Sequence, residues 1–78
     1  MNVLHTISKH FAEKGIDLEP DEDLFSSGQV DSVSMMEAIA FMESEFEMSI
    51  PQDDLMPDNF RSLQIISGYI ERKIQKAG

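Results

Sequence analysis

The sequence predicts an all-α fold, a small four-helix bundle of three main helices and one short helix, with a long first loop. Apolar residues recur every three or four positions in three segments, and residues that commonly begin or end helices flank these segments. The 78 residues are 41% hydrophobic and 27% charged and include no cysteine, so packing must stabilise them. A chain of this length supports one core, which predicts a single domain over residues 1–78.

The first helix is predicted from about Val3 to Lys14. Asn2 precedes it as an N-cap residue, and Gly15 follows its end. Its apolar positions are Val3, Leu4, Ile7 and Phe11.

The long first loop is predicted from Gly15 to Val30, because Pro20 and Gly28 interrupt any helical pattern there. A loop of this length in so small a domain is usually either functional or disordered. The apolar pair Leu24 and Phe25 favours an ordered loop, in which both side chains contact the core.

The second main helix is predicted to begin at Asp31, whose carboxylate can cap it, and to continue to about Glu47, before Pro51. The denser of its two apolar stripes is expected to face the core and consists of Met35, Ala38, Ile39, Met42 and Phe46. The thinner stripe suits a surface that contacts a partner; it consists of Val33, Met36 and Ala40, flanked by Glu37, Glu43 and Glu47. Phe41 is assigned to neither stripe.

The last third of the sequence predicts one short helical turn near Pro57 and a last helix capped by Ser62. The apolar face of that helix consists of Leu63, Ile66, Ile70 and Ile74. Arg72 and Lys73 lie toward its C-terminus, where the helix dipole favours cations.

The net charge is −9, and residues 15–60 contain no Lys or Arg. Such an acidic surface repels nucleic acid and anionic membranes and favours partners with basic patches. No apolar run approaches the roughly 20 residues that span a membrane, and the first residues lack the features of a signal peptide. The cytoplasm is therefore the expected location.

Ser32 is the candidate reactive residue. It follows Asp31 at the predicted start of a helix, where backbone N–H groups and the positive end of the dipole favour a phosphate ester. Asp31 can cap the helix or help to hold a metal ion beside a pyrophosphate, and Val33 offers an apolar contact. No activating histidine, phosphate-binding glycine loop or metal-ligand spacing occurs, which argues against a hydrolase and a metal site. Taken alone, Ser32 is better explained as an ordinary helix-start residue, because serine is common there for structural reasons.

Over almost its whole length the sequence resembles the acyl carrier protein family, including the peptidyl and aminoacyl carriers. The resemblance rests on Asp23-Leu24-Phe25, on Gly28 ahead of Asp31-Ser32-Val33, on Glu43-Ser44-Glu45-Phe46, on Ile50-Pro51 and on the closing amphipathic helix. In the commonest fatty-acid carriers one residue separates the glycine from Asp-Ser-Leu, whereas here Gln29 and Val30 do so and Val33 replaces the leucine. The approach to the last helix, Asp58-Asn59-Phe60-Arg61-Ser62, is similar to carriers of amino acids, such as the D-alanyl carriers, or of specialised pathways.

The resemblance implies that 4′-phosphopantetheine from coenzyme A is attached to Ser32, with Asp31 supporting, and that its thiol holds an acyl or aminoacyl group as a thioester. The implied partners are a phosphopantetheinyl transferase, an acyl or aminoacyl ligase, and downstream synthases or transferases with basic docking patches. The implied docking face consists of Val33, Met36, Glu37, Ala40, Glu43 and Glu47. The chain is expected to be a monomer and not an enzyme, and fatty acid, polyketide and nonribosomal peptide synthesis all stay open as pathways.

Two alternatives share this composition. One is a small acidic protein-interaction module without a covalent cofactor, and the other is a structural subunit of a larger complex.

Overall fold

The computed structural model describes residues 2–77, with the side chains of all of them except residues 27 and 75–77. The two ends of the predicted domain, Met1 and Gly78, therefore lie outside the described residues. The described chain contains four α-helices and two 3₁₀ turns and no strand, which confirms the predicted all-α, four-helix fold. The helices are α1 (Val3–Glu13), α2 (Leu24–Ser27), α3 (Ser32–Glu45) and α4 (Leu63–Ala77), and the 3₁₀ turns are Gln52–Asp54 and Pro57–Asn59.

The ends of α1 follow from the two residues that flank it. The side chain of Asn2 accepts a hydrogen bond of 3.0 Å from the backbone N–H of His5, as an N-cap residue does. At the other end Gly15 has a φ of 82°, a left-handed conformation that glycine adopts readily and that ends the helix. The helix ends at Glu13, one residue before the predicted boundary at Lys14.

The short helix α2 lies inside the segment that was predicted to be a loop. Asp23 accepts hydrogen bonds from the N–H groups of Phe25 and Ser26, and Gly28 ends the turn with a φ of 76°. Leu24 is fully buried, as predicted, but Phe25 is 47% exposed, so the expected core contact of Phe25 is wrong. Consecutive helical residues point about 100° apart, and a single turn cannot direct both side chains into the core.

Backbone hydrogen bonds connect the first loop to the start of α4. The N–H of Leu24 donates to the carbonyl of Arg61 at 2.8 Å, and the N–H of Gln64 donates to the carbonyl of Pro20 at 2.9 Å. These bonds satisfy polar groups that a helix start and a loop otherwise leave to water. The loop is thus ordered, as predicted, but α4 provides much of what holds it.

Helix α3 begins as predicted and ends two residues early. Asp31 is its N-cap, and the Asp31 carboxylate accepts a 2.8 Å hydrogen bond from the N–H of Ser34. The last helical residue is Glu45, so the predicted inclusion of Glu47 in the helix is wrong. The chain turns there because Glu47 takes a left-handed φ of 50°, well before Pro51.

The left-handed conformation of Glu47 predicts a stabilising substitution. We expect Glu47→Gly to raise the free energy of unfolding by about 1 kcal/mol, because a side chain with positive φ is strained and glycine is not. Urea unfolding of the two proteins measures the difference. Glu45→Gly is the matched control, and inside the helix it should lower stability by about 0.5–1 kcal/mol. Destabilisation by both substitutions would contradict the argument.

The core lies between α1, α3 and α4, and α4 packs most extensively against α1. Its fully buried large side chains are Ile7 and Phe11 of α1, Leu24 of α2, Met42 of α3, and Leu63, Ile66 and Ile70 of α4. Burial of seven such residues is the main stabilising contribution in a domain without disulfides.

The two stripes of α3 differ in burial as the sequence indicated. Ala38, Met42 and Phe46 are buried, and Met35 and Ile39 are half-buried against the core. Val33, Met36 and Ala40 are exposed. The denser stripe therefore faces the core, and the thinner one faces solvent.

Phe41, which was assigned to neither apolar stripe of the second main helix, contacts helix α1. Its ring stacks on the imidazole of His10, with ring centroids 4.3 Å apart and an interplanar angle of 21°. Burial lowers the pKa of His10 from its ordinary 6.5, and Lys14 lowers it further, against smaller opposing effects of Glu13 and Glu37. Burial and Lys14 therefore favour the neutral imidazole.

This shift predicts a pH dependence of stability. The pKa of His10 is lower in the folded state than in the unfolded state. The contribution of neutral His10 to the free energy of unfolding is therefore fully present above about pH 6.5 and is lost as the pH falls through the folded pKa. We expect His10→Gln to remove the decline in unfolding free energy between roughly pH 7 and pH 5, measured by urea unfolding. His5→Gln, on the exposed part of the same helix, is the control that should keep the decline. An unchanged pH profile in the His10 variant would contradict this interpretation.

Candidate functional site

Ser32 is the first residue of α3 and is exposed. Among the described residues, no hydrogen bond engages its hydroxyl group. The N-cap role at this helix end belongs to Asp31, so the Ser32 hydroxyl is not used as a cap. The hydroxyl is therefore accessible to another molecule.

Asp31 supplies negative charge beside Ser32. The backbone N–H of Ser34 bonds to the Asp31 carboxylate and is the main cause that lowers its pKa, with a smaller effect of the Ser34 hydroxyl, so the group is ionised near neutral pH. The predicted capping role of Asp31 is thus confirmed. No group of three or more His, Cys, Asp or Glu side chains that could hold a metal ion lies close together among the described residues.

An apolar groove borders Ser32. It has a volume of about 510 Å³ and lies between α2, α3 and residues 52–60. We call it the Ser32 groove; its lining residues are Phe25, Val30, Asp31, Ser32, Met35, Met36, Ile39, Leu55, Met56, Pro57 and Phe60. Asp31 and Ser32 are its two polar residues, which places the hydroxyl at the edge of an otherwise apolar surface.

Large exposed apolar side chains surround this groove. Met36 is 70% exposed, Met56 51%, Phe25 47% and Leu55 42%. Single exposed apolar residues are ordinary, but four around one concave surface are typical of a binding site. Leu55 and Met56 were not among the predicted site residues, because nothing local to residues 52–60 indicates that they lie opposite α3.

The six predicted docking residues divide into two sets. Val33, Met36, Glu37 and Ala40 are exposed on one face of α3, and the Glu37 carboxylate lies 3.7 Å from the ammonium of Lys14. Glu43 lies on the same face but is half-buried, and its carboxylate accepts a 2.9 Å hydrogen bond from the N–H of Ile50. Glu47 is exposed but lies beyond the end of the helix.

Comparison with known proteins supplies two findings about sequence. Residues 3–70 match the family described as "Phosphopantetheine attachment site". The chain is 33% identical over 70 residues to the D-alanyl carrier protein of Streptococcus suis, which covers 88% of this chain and 87% of that protein. It is 34% identical over 70 residues to the D-alanyl carrier protein of Streptococcus mutans, with the same coverage.

The fold is also found in solved structures. One similar chain comes from a crystal structure of the Bradyrhizobium japonicum glycine:carrier protein ligase complexed with glycylated carrier protein, with a TM-score of 0.67 and 21% identity over 87% of this chain and 92% of that one. A second similar chain comes from a crystal structure of the same ligase complexed with its cognate carrier protein and an analogue of glycyl adenylate. It has a TM-score of 0.67 and 24% identity, and the match covers 95% of this chain and 92% of that one. At these identities the likeness concerns the fold alone.

Within residues 2–77 the structure contains no helix that is both long enough and apolar enough to cross a membrane.

Proposed function

Because this chain belongs to the phosphopantetheine attachment-site family and is a carrier protein with covalent 4′-phosphopantetheine, we propose that Ser32 is the residue that bears the arm. One observation carries the proposal: Ser32 combines an accessible hydroxyl without a hydrogen bond, a position at a helix start, and a place on the edge of an apolar groove. Ser34, the other serine in the first turn, is half-buried and does not line the groove.

The residues around Ser32 fit such an arm. The Ser32 oxygen would attack the phosphorus nearest the pantetheine of coenzyme A, so that a phosphodiester forms, the pyrophosphate bond breaks and adenosine bisphosphate leaves. The hydroxyl proton passes to a base of the transferase, because no described side chain of this chain is bonded to the hydroxyl. When bound, the arm supplies a terminal thiol that holds a load as a thioester. Asp31 supports the site by capping the helix that begins at Ser32.

The load belongs to the acyl or aminoacyl class, and the names of the relatives favour an aminoacyl group. The S. suis and S. mutans relatives are both D-alanyl carrier proteins. The partners are then a phosphopantetheinyl transferase, an adenylating ligase, and enzymes that accept the load. Residues 1–78 act as a single monomeric carrier domain in the cytoplasm, and the catalysis belongs to the partners.

The docking face for these enzymes is the exposed side of α3. Val33, Met36 and Ala40 offer an apolar strip, and Glu37 adds an exposed carboxylate beside it. Residues 15–60 contain no Lys or Arg, so the face attracts basic patches at long range. Contacts of this kind form and dissociate quickly, as successive delivery to several enzymes requires. Glu43 also accepts a hydrogen bond from the backbone N–H of Ile50.

Glu37 is exposed whereas Glu43 is half-buried, so the docking proposal is best tested at Glu37. We expect Glu37→Lys to slow modification by a transferase about twofold to fivefold at low salt without changing helicity, the effect of one exposed ion pair. Initial rates at low and high salt measure this, since screening should remove the difference. Asp21→Lys, the same charge change on the first loop, is the matched control. Equal rates of all three proteins at low salt would contradict docking at this face.

Intact mass spectrometry tests the function as a whole. The protein is incubated with coenzyme A and a phosphopantetheinyl transferase of broad specificity, and peptide fragmentation then locates any addition. We expect one phosphopantetheine per chain, on the peptide that contains Ser32. No addition would contradict the attachment proposal, and addition at another residue would contradict the assignment of Ser32.

A further inference from the structure

The wall of the Ser32 groove opposite α3 is made of residues 52–60, which we call the wall segment. It contains two 3₁₀ turns, Gln52–Asp54 and Pro57–Asn59, and no α-helical residue. Its contribution to the core is small, because Phe60 is its one buried residue while Leu55 and Met56 are about half exposed. Segments with so little buried apolar surface open more easily than the helices around them.

One residue of the wall segment, Asp54, is held by α4. The carboxylate of Asp54 accepts a hydrogen bond from the hydroxyl of Tyr69 and lies 3.2 Å from the ammonium of Lys73. The carbonyl of Asp54 accepts a 2.9 Å hydrogen bond from the side chain of Asn59. These bonds join the two 3₁₀ turns to each other and to α4.

The surroundings strengthen this attachment. Tyr69 is buried, and its ring packs against Phe60 at a centroid distance of 5.5 Å, so α4 contacts the wall segment at Phe60 as well as at Asp54. The Tyr69 hydroxyl and then Lys73 lower the pKa of Asp54, which keeps its carboxylate ionised near neutral pH. Asp54, Tyr69 and Lys73 line a polar depression and do not line the Ser32 groove.

The opposite side of the groove is better fixed. Helix α3 has its buried residues Ala38 and Met42 in the core, and Glu43 holds the chain at Ile50 just before the wall segment begins. A change in groove width therefore requires movement of the wall segment more than movement of α3.

From this arrangement we propose that Asp54, with Tyr69 and Lys73, is a positioning residue that sets the width of the Ser32 groove by holding Leu55 and Met56 opposite α3. The proposal rests on the proposed function, since the arm on Ser32 is what uses the groove. Asp54 does not contact the arm, and it acts through the apolar side chains that follow it in the wall segment.

Two measurements on the unmodified protein test the proposal in Tyr69→Phe, which removes only the hydroxyl, and in Asp54→Ala. The first is amide hydrogen exchange at Leu55 and Asn59, whose N–H groups bond within the two 3₁₀ turns. We expect exchange there to become roughly fivefold to tenfold faster, as the loss of a charge-assisted hydrogen bond implies. The second is the affinity for the neutral apolar dye N-phenyl-1-naphthylamine, measured by its fluorescence. We expect this affinity to change at least about threefold, because the wall segment is no longer held in position.

The matched control is Asp53→Ala. Asp53 is exposed and adjacent in sequence, and its side chain makes no hydrogen bond or ion pair among the described residues, so this variant should match the wild type in both measurements. Unchanged exchange in Tyr69→Phe and Asp54→Ala would show that the contacts do not hold the wall segment. Faster exchange with unchanged dye affinity would show that they stabilise it without setting the groove. Neither measurement depends on the arm, so failure here is distinct from failure of the attachment at Ser32.

Discussion

Replacement of Ser32 by alanine is expected to abolish phosphopantetheine addition completely. The substitution removes the oxygen that forms the phosphodiester, and no neighbouring nucleophile takes its place at the edge of the groove. Intact mass after incubation with coenzyme A and a transferase should show unmodified protein only. Because Ser32 is exposed and its side chain makes no hydrogen bond, the free energy of unfolding in urea should change by no more than about 0.5 kcal/mol.

Ser34→Ala is the control for this result. It lies in the same helical turn and loses a hydroxyl that contributes to the environment of Asp31, yet it should be modified to completion. Retention of the added mass in Ser32→Ala would contradict the assignment. Loss of the mass in both variants would indicate instead that the start of α3 had been disturbed.

Leu24→Ala is expected to have the largest effect on stability, a loss of about 2–5 kcal/mol in the free energy of unfolding. Leu24 is fully buried, and its backbone N–H donates to Arg61 at the start of α4, so a cavity forms where the first loop meets the core. A chain of 78 residues has a total stability of about 4–12 kcal/mol. The variant should therefore lose a large share of the free energy of unfolding, as urea or thermal denaturation will measure.

The neighbouring substitution Phe25→Ala is the matched control. Phe25 is 47% exposed, and we expect its replacement to cost about 1 kcal/mol or less although it removes more atoms than Leu24→Ala. Similar losses in the two variants would contradict the burial described for α2. Because Phe25 lines the Ser32 groove, its effect should appear in the binding of apolar ligands instead.

Local signals in the sequence were sufficient where the deciding interaction is short-range. Asn2 and Asp31 bond to N–H groups three residues ahead, and Gly15 needs only its own freedom to adopt a positive φ. Such interactions involve neighbours in the chain, so the residue types themselves predict the helix boundaries.

The sequence signals were ambiguous for α2 and for the end of α3. Asp23 and Gly28 flank α2 as capping residues do, but a single turn leaves too few residues for a recognisable apolar period. At the end of α3, Glu47 adopts a conformation that its residue type disfavours, and the Glu43 carboxylate that bonds to Ile50 lies one turn away. No propensity of Glu47 indicates that turn.

The sequence by itself determined that this protein is helical, acidic and similar to carrier proteins, and it singled out Ser32, because these properties depend on residue types and their spacing. Only the tertiary structure decided that Phe25, Leu55 and Met56 surround a groove beside that serine, and that Asp54 is held from α4 by Tyr69. The physical reason is the distance along the chain. Residues 52–60 meet α3 and α4 only after the core has packed, and no local pattern of residues encodes such contacts.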